Sequence, residues 1–208
     1  MRRVLVLALL ALALPIAASA SGIDITNRSG SITISSAGIV SNHSQLRSFN
    51  GVAAAPGHSL GWVGFSTGAC LTGCSGAEIT SGTAGTTFSA VGSNFTVMGV
   101  GKNSGVPKGV IFSGSFVGPI TWSLVSKVGQ SYVYNLTGTI KGMLYDGRIV
   151  TGTTTQTIFS ANGQISLGVG HIRVGSTSLV VPEPGTLGLL GTGLVGIAGV
   201  FRRKFLTA

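Results

Sequence analysis

Between residues 132 and 145 the chain alternates almost without fault: Tyr132, Tyr134, Leu136, Ile140 and Leu144 fall on one side, and Asn135, Thr137, Thr139 and Lys141 on the other. A period of two puts successive side chains on opposite faces of a strand, so this stretch predicts a half-buried strand and not a helix. The surrounding residues extend the reading. The middle of the chain is rich in Gly, Ser, Thr and Val and poor in periodic Ala, Leu, Glu or Lys, which disfavours helices and favours strands. Asn50-Gly51, Asp146-Gly147 and Asn162-Gly163 are pairs suited to tight hairpins.

Taking the last two pairs as two-residue turns gives a meander of strands over 132–145, 148–159 and 164–174. Its registers conflict. Leu144 falls opposite Ile149 and Phe159 opposite Ser166, which turns Ile165, Leu167 and Val169 away from the Leu144 face. A bulge, or a sandwich covered on both faces, would reconcile them. Further strands are expected over 23–26, 31–35, 60–66, 86–91, 95–100, 109–116 and 120–126. About ten short strands predict an all-β domain of the β-sandwich or jelly-roll kind.

The two ends read differently. Residues 1–20 carry Arg2 and Arg3, an apolar stretch from Val4 to Leu14, and the small residues Ala18, Ser19 and Ala20. This is the pattern of an export signal cleaved after Ala20, and it makes the general export machinery a partner. Residues 185–201 form an uncharged run of about the minimum length for a transmembrane helix. Arg202, Arg203 and Lys204 follow as a basic stop on the cytoplasmic side, which leaves the body of the chain outside. The expected organisation is therefore a signal peptide (1–20), a β domain (21–181) and a C-terminal segment (182–208).

Immediately before the apolar run stands Pro182-Glu183-Pro184. The prolines hold the backbone extended and remove two donors, so Glu183 is presented instead of being absorbed into a helix or sheet. The motif, the span and the basic tail, in this order at the chain end, resemble the PEP-CTERM sorting signal of Gram-negative bacteria. That resemblance implies recognition by an exosortase, a membrane-embedded cysteine transpeptidase, followed by removal of the tail. It also implies transient membrane attachment and delivery to the cell surface or an extracellular polysaccharide matrix. The ordinary alternative is a simple tail anchor.

Other motifs are weaker. Gly191, Gly193 and Gly196 spell G-x-G-x-x-G inside the apolar run, without the strand and soluble helix that a dinucleotide site needs, so no cofactor is expected. Gly188, Thr192 and Gly196 would line one helix face for close approach of another helix. Setting aside the charges of both ends leaves eight cations and three acids, a formal +5, and the cations, Lys102, Lys108, Lys127 and Lys141 among them, are scattered. Nucleic-acid binding would favour a clustered basic stripe, so none is expected.

Cys70 and Cys74 predict a disulfide closing a small loop in an oxidising compartment. His43, His58 and His171 show no ligand spacing around them, so no metal is expected. "GFSTG" places Ser66 in a G-x-S-x-G pattern with Glu78 or Asp146 and then His171 downstream, a hydrolase order without the helix that should follow the serine. Trp62 and Trp122 are candidate platforms for stacking sugar rings, with core packing as the plainer role. Alternate residues Thr151, Thr153, Thr155 and Thr157 place hydroxyls on one strand face. The leading expectation is a non-enzymatic surface or matrix protein. The alternative is an exopolysaccharide-binding module, and a hydrolase using Ser66 comes third.

Overall fold

The computed structural model describes residues 22–82, 85–101, 104–160 and 168–181. Those residues are overwhelmingly strand, with one short helix, as the alternation and turn pairs predict. In chain order the strands are β1 (Gly22–Arg28), β2 (Ser31–Ser35), β3 (Gly38–Phe49), β4 (Val52–Ala53), β5 (Gly61–Ser66) and β6 (Cys70–Thr72). After helix α1 (Gly76–Ser81) come β7 (Thr86–Phe88), β8 (Asn94–Val100), β9 (Lys108–Phe116), β10 (Ile120–Val128), β11 (Ser131–Leu144), β12 (Ile149–Ser160) and β13 (Gly168–Val180).

The expected sandwich gives way to a single antiparallel sheet that closes on itself as an eight-stranded barrel. Pairing registers show why eight. β1 and β2 run along β13 in one unbroken register, Gly22 opposite Val180 through Ile34 opposite Gly168, and so make one stave. In the same way β5 and β6 lie along β8 and β7, and β9 and β10 lie together along one edge of β11. The staves, β1/β2, β3, β5/β6, β7/β8, β9/β10, β11, β12 and β13, follow one another in sequence, and β13 returns to pair with β1/β2. Closure leaves no long unpaired edge on the barrel wall, which two facing sheets would have had to protect by other means.

The hairpins explain the register conflict. Asn50 (φ +47°) and Gly51 (φ +83°) form the two-residue turn expected of them, with Phe49 opposite Val52. Around Asp146-Gly147 the loop is instead three residues, 145–147, with Gly147 at φ +84°, and Met143 stands opposite Ile149. That one-residue slip buries Leu144 and Val150 together and turns Met143 and Ile149 outward. Beyond β12 the pairing is Phe159 with His171, not with Ser166, after a bulge between Thr157 and Ile158. Asn162-Gly163 lies outside the described residues.

An eight-stranded barrel is just wide enough for side chains to fill it. Here Phe65, Phe95, Phe112 and Phe116 meet at ring separations of 6.0 to 6.4 Å. Ile25, Ile32, Ile34, Ile39, Ile140 and Ile158 pack with them in one apolar cluster. Part of the interior is polar. Asn27 Nδ2 donates to Ser44 Oγ (2.7 Å) and to Gln156 Oε1 (2.8 Å), and Gln156 Nε2 donates to Thr154 Oγ1 (2.9 Å). Thr154 Oγ1 in turn meets Thr177 Oγ1 at 2.8 Å. All five residues are buried. The Asn27–Gln156 pair links the first stave to the seventh across Gly175 of the eighth, where a Cβ would run into both amides.

α1 comes between the third and fourth staves in chain order and packs against the fifth and sixth. Ser75 caps it and Glu78 reciprocates, a capping box, and Gly82 ends it with φ +61°. Ile79 is buried, Trp122 Nε1 donates to the Ile79 carbonyl at 2.9 Å and Tyr134 Oη to the Thr80 carbonyl at 2.6 Å. Among the described residues no helix is long and apolar enough to cross a membrane. The expected signal peptide (1–20) and transmembrane run (185–201) lie outside them, as do Ala20 and Arg202, Arg203 and Lys204.

Candidate functional site

Pro182, Glu183 and Pro184 also fall outside the described residues. What the fold defines is how the chain reaches them. β13 is paired on both sides to its last residue, since Val180 stands opposite Gly22 of β1 and opposite Thr151 of β12. Leu179 is fully buried, and Val181 still packs against the core. Only Val181 separates the last rung of the barrel from the motif.

Trp62 and Trp122 part company. Trp122 is fully buried, its ring stacked on Tyr134 at 4.8 Å and 8°, so it has no face to offer a ligand and the expectation of stacking at Trp122 is corrected. The cause is its inward position on β10, beneath α1. Trp62 lies half-buried on the outer wall over Gly64, whose Cβ, if present, would stand 3.2 Å from Cζ3 of the indole. His43 meets it edge-on at 4.8 Å from a bulge in β3, with its own backbone at φ +50°.

The outer wall carries a second pattern. Along the direction of inter-strand pairing, Thr72, Thr87, Thr121, Thr137, Thr155, Ser176, Thr26 and Ser48 follow one another, one on each of the eight staves. Neighbouring hydroxyls touch at Thr72–Thr87 (2.7 Å) and Thr26–Ser48 (2.6 Å). A flanking row runs Thr139, Thr153, Ser178 and Asp24. Thr153 and Thr155 of the threonine array belong to these rows. The others sit at irregular intervals in the sequence, which is why no motif announces the girdle.

The hydrolase candidates stay apart. Ser66 ends β5 opposite Val40 and Asn94, and the next helix begins only at Gly76. His171 lies on β13, three staves away around the wall. Glu78 is held in the α1 cap, where hydrogen bonds from the Ser75 side chain and backbone keep its carboxyl below the usual value. Asp146 is bonded by Arg148, Oδ2 to Nε 2.7 Å, and its carboxyl is likewise lowered by that guanidinium. Among the described residues no hydrogen bond joins any two of the four.

Cys70 and Cys74 form a disulfide with Cα atoms 5.6 Å apart, next to α1. A shallow cleft of about 400 Å³ is lined by Ala53, Ala54, His58, Leu60, Val100 and Ser104. Arg47 donates to the His58 carbonyl beside it. Among the described residues no group of three or more His, Cys, Asp or Glu side chains is placed to hold a metal ion.

Residues 180–204 match the family described as the PEP-CTERM protein-sorting motif. The match covers the tail alone, and it implies an exported chain with an exosortase as its processing partner. No curated protein and no solved structure matches the chain.

Proposed function

We propose that this is a non-enzymatic barrel of the cell surface or extracellular matrix, exported, held at the membrane by residues 185–201 and released or transferred by an exosortase acting at Pro182-Glu183-Pro184. The single observation that carries this reading is the sorting-motif match beginning at the last residue of β13. A closed wall with a filled interior suits the role, because such a barrel resists an unprotected environment without needing a ligand inside.

The test is the intact mass of the protein recovered from the envelope and from the medium of an exosortase-bearing host. The expected product begins after Ala20, lacks the tail and is two hydrogens lighter for the Cys70–Cys74 bond. Glu183→Ala is expected to leave the tail in place. A native product that still ends at Ala208 would overturn the reading.

A second reading, binding of extracellular polysaccharide on the outer wall, is favoured by the half-buried Trp62 and the hydroxyl girdle. An indole face, and elsewhere on the same wall a row of hydroxyls, match the apolar and hydroxyl surfaces of a sugar ring. Trp62→Ala is expected to lower retention on an immobilised polysaccharide about tenfold, since loss of one stacking platform is worth roughly 1–1.5 kcal/mol. Equal retention of the variant would count against this reading.

A further inference from the structure

From the way β13 is locked, we infer that closure of the barrel gates removal of the tail: the sorting enzyme acts on a chain whose last rungs have opened or have not yet formed. This rests on the reading of residues 182–184 as its recognition motif. An enzyme that cuts a peptide takes the chain extended and commonly engages its backbone N–H and C=O groups as a sheet edge does. Upstream of the motif those groups are already committed. Ser178 pairs with Asp24 and Thr153, Leu179 with Ile23 and Gly152, and Val180 with Gly22 and Thr151.

Side chains tighten the lock. Leu179 and Ile23, partners on the seam, are 0% and 5% exposed, and a Cβ at Gly152 would strike the Ser178 carbonyl. Val181 is the sole spare residue, and it too rests on the core. The other end has the same spacing. In the sequence, only Ser21 separates the expected signal cut after Ala20 from Gly22, as only Val181 separates the motif from Val180, the partner of Gly22. The bond broken in tail removal is a peptide bond; its nitrogen leaves with the tail, and its acyl carbon passes to the enzyme and then to water or an amine. This chain supplies no proton or electron to that step. Its contribution is the availability of the extended segment, set by how often the terminal rungs open.

Two variants test the gate in an exosortase-bearing host, with tail loss followed by pulse-labelling and intact mass. A six-residue Gly/Ser insertion between Val181 and Pro182 frees the upstream backbone without touching the barrel, and it is expected to speed tail loss about tenfold or more. A staple across the rung, Gly22→Cys with Val180→Cys, joins directly opposed residues at a separation a disulfide can span. It is expected to slow tail loss by at least as much, and added reductant is expected to restore it. Unchanged rates in both variants would overturn the gate while leaving the sorting assignment intact. A wild-type chain that never loses its tail would overturn the sorting assignment and the gate with it.

Discussion

At position 175 a single methyl group is enough to disturb the closing seam. The Asn27 and Gln156 amides meet directly over this glycine, and neither can retreat without abandoning a buried hydrogen bond. Gly175→Ala is therefore expected to cost about 2 kcal/mol or more, in the range found for overpacked cores. The fall in denaturant midpoint at unchanged m-value would report it. A loss below a few tenths of a kcal/mol would mean that the amide pair is not fixed as described. Sequence patterning could not pick out Asn27 and Gln156, since buried amides look like surface amides until the strands they sit on are paired.

The elements were legible to the degree that their buried faces are apolar. β2 has the expected bounds, and the strands of residues 94–128 lie within two residues of theirs. The twelve-residue β3 was not anticipated, for a physical reason. Its inward positions include Ser41 and Ser44, and its bulge at residues 42–43 breaks the period of two just where it would have been read. The short β6 and α1 were missed as well, although Ser75 and Glu78 spell a capping box.

α1 carries its own prediction. The Glu78 carboxyl is lowered by its bonds to Ser75, so its stabilising effect is complete above the ordinary glutamate value of about 4.3 and is lost as the pH falls through the lower folded value. Loosening of α1 in that acidic window is expected from amide exchange at Ile79 and Gly82, whose N–H groups bond within the helix and its cap. Glu78→Gln is expected to remove the pH dependence of their protection relative to intrinsic exchange. Protection that stays constant across that window in the unsubstituted chain would contradict the role given to the cap.

For the whole molecule, composition and turns sufficed for an all-β domain but not for its closure. Closure depends on the pairing of residues more than 130 positions apart, Gly22–Arg28 and Ser31–Ser35 with Gly168–Val180, and no local pattern encodes it. The sorting segment was legible because it depends on local order alone, proline, glutamate, proline, apolar run and cations. Every other seam joins staves adjacent in the chain. As the chain emerges from its N-terminus, seven staves can therefore add one after another by short loop closures, while the outer edge of Gly22–Ser35 waits for the last stave to arrive. During that interval β1/β2 and the growing end are two open edges of opposite sides of one sheet, the arrangement that lets neighbouring copies add to each other. Completing the barrel is thus a race against self-association, decided by how soon the final thirteen-residue strand is delivered.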